Sequence, residues 1–116
     1  ELVITCQTPA AGEVNITKGD AVKLSGAYTV TNATDAEDTV FGQALCSATE
    51  NDMAIPVKVR GICIFPYTGA TAPTVDGAAG IVASATAGSV KTPDTGTSKG
   101  INVKVDETAS VVHVLL

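Results

Sequence analysis

Apolar and polar residues alternate with a period of two along most of the chain. Near the start, Leu2, Ile4 and Cys6 alternate with Val3 and Thr5. The same alternation recurs in four further segments, at residues 14–17, 22–25, 28–31 and 101–106. Because successive side chains of a strand point to opposite faces, this pattern predicts short β-strands. Strands this short and closely spaced predict a small all-β barrel or sandwich with little helix.

The strongest strand pattern lies between residues 55 and 65, and its parity changes part-way. The β-branched residues occupy odd positions up to residue 59, whereas Ile62 and Ile64 occupy even ones. Gly61 lies at the change, and glycine tolerates the backbone angles of a bulge. The pattern therefore predicts one long bent strand whose facing switches at Gly61.

The chain divides into an N-terminal arm and one domain. Residues 9–12 (Pro-Ala-Ala-Gly) interrupt the first strand, and no later linker divides the sequence. We therefore expect an extended arm over residues 1–12 and a single β domain over residues 13–116. The arm and the C-terminal run, residues 110–116, are apolar at both parities. Such strands need partners on both faces, either within the fold or in a neighbouring subunit.

Composition and charge narrow the function further. With 116 residues the chain fits one domain, and 45% hydrophobic but only 3% aromatic residues imply an aliphatic core. A formal charge of −5 supplies no basic footprint for phosphates, so we expect no nucleic-acid binding. The apolar runs are far shorter than the roughly 20 residues that span a bilayer, so no membrane partner is expected either.

The sequence offers few parts for catalysis. His113 is the only histidine, so every nucleophile–base pair would depend on it, and its place in an apolar strand favours a packed or interface histidine. Cys6, Cys46 and Cys63 lack the close spacing of zinc ligands and are interpreted as reduced, buried thiols. No nucleotide-binding glycine motif occurs. We therefore expect a non-enzymatic protein without metal or cofactor.

Several segments resemble one family of viral proteins. Residues 40–45 (Val-Phe-Gly-Gln-Ala-Leu), a polar turn, and then residues 55–64 are similar to the capsid cement domains of tailed phages and to the lambda-type head decoration proteins. Residues 18–22 (Lys-Gly-Asp-Ala-Val) look like the Gly-Asp-x-Val start of those domains, and residues 110–116 look like their closing strand. The resemblance covers most of the chain.

This resemblance implies a structural role in a virion. It implies a compact, β-tulip-like barrel with an N-terminal arm, which here is short. Trimers or clusters would bind the outer surface of the expanded capsid and stabilise the lattice of the major capsid protein. The protein would reside on that surface, and in the host cytoplasm during assembly.

Two groups of residues are the predicted contacts. We expect Leu2, Val3 and Ile4 to bind the capsid, either by adding a strand to its surface or by packing on it. The alternative, left open by the sequence, is that this segment completes the domain's own sheet. Contacts between copies are expected at Arg60 and in the loop over residues 67–73, which begins at Tyr67 and ends at Pro73.

A second class of protein also fits the sequence. It is a non-enzymatic β-sandwich module that binds a receptor or carbohydrate in a phage tail, head fibre or adhesin. Such modules usually expose aromatic side chains, and only Tyr28, Phe41, Phe65 and Tyr67 are available. The accessibility of Tyr67 therefore discriminates between the two classes.

Overall fold

The computed structural model describes residues 1–94 and 97–116. The described residues form ten strands and no helix, which confirms the prediction of an all-β fold. The strands are β1 (Leu2–Gln7), β2 (Ala21–Gly26), β3 (Thr29–Asn32), β4 (Gly42–Ala44), β5 (Ala54–Arg60), β6 (Ile62–Pro66), β7 (Val82–Ala83), β8 (Val90–Lys91), β9 (Ile101–Asp106) and β10 (Val111–Leu115).

Five strands close into a barrel in the order β1–β3–β2–β4–β5. β1 is antiparallel to β5 over its whole length, whereas it meets β3 in a parallel pairing at Gln7 and Thr29 alone. The barrel interior holds the first core, which includes Ile55 and Val57, both fully buried. The predicted barrel is therefore present, and its closure depends on β1.

The structure corrects the prediction of an N-terminal arm. Leu2–Gln7 is a barrel strand paired with β5, and Cys6 lies in the first core. The segment is apolar at both parities for two reasons. Its inner side chains fill the barrel, and a register shift between Leu2 and Val3 leaves both of these side chains facing outward. The boundary between residues 12 and 13 therefore does not separate an arm from the domain.

A second sheet covers a second core. β10 lies between β6 and β9, antiparallel to both, and β7 pairs with β8 nearby. Phe65 from β6 and Val112 and Val114 from β10 are fully buried beneath this sheet. The C-terminal strand thus has a partner on one face, within the fold.

Gly61 joins the two sheets. Its φ of 114° lies in the region that favours glycine. The one long bent strand that was predicted is instead divided at Gly61 into β5 and β6, which belong to different sheets. The predicted switch in facing is also wrong, because Val59 and Cys63 both point inward. The chain passes from one core to the other on the same side, which leaves Ile62 and Ile64 exposed on the outer side.

The Gly-Asp turn before β2 has a clear structural role. The Asp20 carboxylate accepts a hydrogen bond from the Thr17 backbone N–H at 2.9 Å, and the Asp20 carbonyl accepts one from Ala44 in β4. A Cβ at Gly88 would overlap Asp20 Oδ1, so a side chain there would displace the carboxylate. Burial raises the pKa of Asp20, and the bond from Thr17 opposes that rise. The motif therefore fixes how the chain enters the barrel.

Gly42→Ala should destabilise the barrel, because a Cβ at Gly42 would lie 2.5 Å from the Lys58 carbonyl oxygen and 2.7 Å from Val57 Cγ1. Overpacking against backbone costs about 1–3 kcal/mol. The matched control is Gly26→Ala, whose Cβ would meet Thr29 at an ordinary 3.6 Å and should change the free energy of unfolding by less than about 1 kcal/mol. Urea unfolding measures both; equal effects would contradict the close β4–β5 approach.

Candidate docking surface

Most of the large apolar side chains that remain exposed in the described residues lie on one outer surface. We call this surface the apolar face; its members are Leu2, Val3, Ile62, Ile64, Ile101, Val103 and Leu115, each between 41% and 51% exposed. In β6 and β10, the residues that alternate with these members point into a core, so both strands already have one side covered. The apolar face is the side that the described chain leaves open.

The apolar face is continuous across the second sheet because the strands are in register. Three cross-strand rows lie on the outer side of this sheet: Ile62–Leu115–Ile101, Ile64–His113–Lys104 and Pro66–Val111–Asp106. The members of the apolar face fill the first row, and Ile64 begins the second. A register shift beside His113 makes Val103 an extra residue in β9, exposed next to Lys104. The face therefore runs from one edge of the sheet to the other, with His113 in its middle row.

The apolar face also extends onto the barrel. Leu2 pairs with Arg60 and Val3 pairs with Lys58. Outward residues keep even numbers from β5 into β6, so Arg60 and Ile62 follow one another on the same side of the strand. Leu2 and Val3, two of the predicted capsid contacts, thus lie beside Arg60, one of the predicted contacts between copies.

The other predicted contact residues lie elsewhere. Ile4 is partly buried against the first core, Tyr67 is partly buried against the second, and Pro73 is buried. Arg60 and Tyr67 flank opposite ends of β6, separated by about 17 Å of strand. The structure therefore does not bring the three predicted interface residues into one patch, and contact between copies stays a prediction.

The free edge of β6 is capped by side chains. The Gln43 side-chain amide donates to the Ile64 carbonyl at 2.7 Å, and the Lys58 ammonium donates to the Ile62 carbonyl at 3.0 Å. Lys58 is itself paired with the Glu1 carboxylate at 3.3 Å. Because these carbonyls already have donors, the arrangement favours docking on the face of the sheet over addition of a strand at the β6 edge.

The histidine and the cysteine of this sheet lie on opposite sides of it. Cys63 is fully buried on the inner side, whereas His113 points outward between Ile64 and Lys104. Burial raises the pKa of the Cys63 thiol, which keeps it protonated and unreactive. Cys46, predicted to be buried, is exposed. Among residues 1–94 and 97–116, no three His, Cys, Asp or Glu side chains gather as metal ligands.

Sequence reasoning missed most of the apolar face. The sequence predicted the alternation of apolar and polar residues in β9. Apolar residues of an alternating strand usually face the core, but the structure buries Asn102 and exposes Ile101 and Val103. A loop supplies one partner for this side chain: the Asn102 amide nitrogen donates to the Thr74 carbonyl at 2.9 Å, whereas its buried Oδ1 has no partner among the described residues. The signal that pointed to the face was the C-terminal strand, which is apolar on both sides.

Comparisons with known proteins leave the family open. No family model matches the chain, and no curated protein matches it. The resemblance to capsid cement proteins therefore stays a prediction that depends on the motifs alone.

In the described part of the chain, no helix has the length and apolar character needed to cross a membrane.

If the face is open to solvent, Ile64→Thr should reduce the free energy of unfolding by less than about 1 kcal/mol. Val112→Thr, on the buried side of the neighbouring strand, should cost about 1–3 kcal/mol, because it buries a hydroxyl without a prepared partner. Denaturant unfolding compares the two variants. A loss at Ile64 as large as that at Val112 would show that the face is covered in the folded protein.

Proposed function

We propose that this protein is a non-enzymatic structural protein that binds the outer surface of an expanded phage capsid and stabilises the lattice of the major capsid protein. The observation that carries the proposal is the apolar face, which presents seven aliphatic side chains on a framework of paired strands. Contiguous apolar surface of this kind marks sites of protein–protein contact. The motif resemblance to cement proteins supplies the identity of the partner.

Stabilisation of the capsid needs no chemistry in this proposal. A protein that binds the assembled lattice, and not its dissociated subunits, shifts the equilibrium toward the lattice by mass action. Trimers or clusters would strengthen the effect, because linked copies bind a repeating surface with a high effective concentration. The protein would then reside on the virion exterior, and in the host cytoplasm before assembly.

Packing is the mode of contact that the position of β1 favours. Leu2 and Val3 belong to a strand already hydrogen-bonded to β5, and their side chains point outward beside Arg60. They can therefore add apolar area to a docking surface without leaving the barrel. Ile4 contributes to the fold, because it packs on the first core.

Point substitutions test this proposal better than truncation. Deletion of residues 1–9 would remove β1, which pairs with both β3 and β5. The barrel would lose its closure, so failure to bind would report unfolding as much as a lost contact. An outward side chain on the apolar face avoids this ambiguity.

We expect Ile64→Asp to weaken binding to expanded heads lacking their decoration at least about tenfold, because docking would bury an unpaired carboxylate. The matched control is Val75→Asp, which places the same charge at a 55% exposed loop position outside the face and should bind like the wild type. Co-sedimentation across a concentration series gives both affinities, with unexpanded heads as the reference that should not bind. Equal binding by both variants would exclude the apolar face as the contact.

A receptor- or carbohydrate-binding module remains the alternative, and one observation favours it. Tyr28 is 70% exposed and borders an apolar groove of about 330 Å³ that Ile4, Leu24 and Phe41 also line. Sugar platforms, however, usually present more than one exposed ring, and Tyr67 is partly buried. The aromatic pattern therefore supports this alternative less than the apolar face supports capsid binding.

A further inference from the structure

The cations of this acidic protein are divided between paired and unpaired ones. Three lysines lie in ion pairs: Lys23 with Asp35 and Asp38, Lys58 with Glu1, and Lys91 with Glu37 and Asp94. Lys99 is held inside, where its ammonium donates to the Phe41 carbonyl at 3.2 Å and burial lowers its pKa. Within the described residues, four cations have no ion pair: Lys99 and the three exposed ones, Lys18, Arg60 and Lys104.

Two of the three exposed, unpaired cations lie on the apolar face. Arg60 is exposed beside Leu2, and Lys104 is exposed in the row of His113. Neither nearby carboxylate pairs with these two cations: Glu1 pairs with Lys58, and Asp106, which keeps its negative charge, is turned toward the backbone N–H groups of residues 108 and 109 at 3.1 Å. A protein with a formal charge of −5 thus presents free positive charge at its most apolar surface.

We propose that the partner of the apolar face is an aliphatic protein surface bordered by carboxylates, placed to meet Arg60 and Lys104. This inference rests on the proposed function, since it describes the chemistry of the capsid surface that the protein would bind. An apolar centre with a charged rim is the usual anatomy of a protein interface. Rim charges remain partly hydrated, so they orient the partner and speed its association at little desolvation cost.

Charge also argues against a second copy as the occupant. Face-to-face association would join two molecules that each carry −5. Among its described residues, the only carboxylates that a second copy would offer near Arg60 and Lys104 are Glu1, already paired with Lys58, and Asp106, already bonded to its own turn. Like-charge juxtaposition across an interface disfavours the wrong partner. An acidic rim on a different protein satisfies Arg60 and Lys104, whereas the face of another copy does not.

A pair of small probes tests the chemistry of the face without any capsid. Decanoate and decyltrimethylammonium have alkyl chains of similar length and head groups of opposite charge. Both can be titrated below their critical micelle concentrations. We expect decanoate to shift the backbone amide NMR signals of β6, β9 and β10 at concentrations about tenfold lower than the cation requires. Equal affinity for the two probes, or shifts elsewhere on the protein, would overturn the inference.

Charge reversal at Arg60 and Lys104 tests whether these two cations cause the preference for decanoate. The double variant Arg60→Glu/Lys104→Glu should lose the preference for decanoate, because both rim charges then repel the carboxylate. Lys18→Glu is the matched control, since it reverses an exposed, unpaired cation away from the face, and it should keep the preference. Urea unfolding verifies that all variants are folded. If the double variant and the control behave alike, the two cations do not define the site.

Binding to expanded heads then separates this inference from the proposed function. We expect the double variant to bind heads about tenfold more weakly than Lys18→Glu, and wild-type affinity to fall as salt increases.

Normal head binding by the double variant would refute the acidic partner and leave the decoration role standing. No head binding by the wild type, together with a positive decanoate result, would remove the decoration role and retain the acidic, aliphatic partner. A salt-stable dimer abolished by Ile64→Asp would instead identify a second copy as the occupant and overturn the inference.

Discussion

A single path of chain, β5 continued through Gly61 into β6, is the constraint on which the two sheets depend. β1 pairs with its first half and β10 with its second half, and the Leu116 N–H closes the junction by donating to the Gly61 carbonyl at 3.0 Å. Because the inward residues keep their parity through the bend, one side of this path covers both cores. The other side is then outward along its whole length, and the apolar face follows from that geometry.

The sequence predicted the class of fold because strand alternation is a local property. Ile55 and Val57 alternate with polar or half-exposed neighbours, and the structure buries them in the barrel as that pattern requires. Alternation does not say which of two apolar sets is inside, however. Ile62 and Ile64 are more apolar than Cys63, yet Cys63 is buried with Phe65, because the second core lies on that side. Only the tertiary arrangement settles this choice.

The candidate site was predictable in part for the same reason. Leu2, Val3 and Arg60 were each singled out from the sequence, and pairing between β1 and β5 brings them together. Tyr67 and Pro73 are near Arg60 in the chain but not in the same patch, since an extended strand carries its two ends apart. Asn102 shows the opposite effect: a polar residue is buried because Thr74 and Ala79, distant in sequence, supply hydrogen-bond partners.

The side-chain caps on the β6 edge have a consequence for the tendency of the free protein to aggregate. A flat sheet with an exposed apolar surface is the starting point of fibrous aggregation when a bare strand edge lies next to it, since further chains add by backbone pairing. Gln43 and Lys58 occupy the carbonyls at that edge, and β1 is enclosed by β5 on its long side. The Ile62 and Ile64 carbonyls are thus already occupied, so exposure of the apolar face is uncoupled from strand addition at the β6 edge.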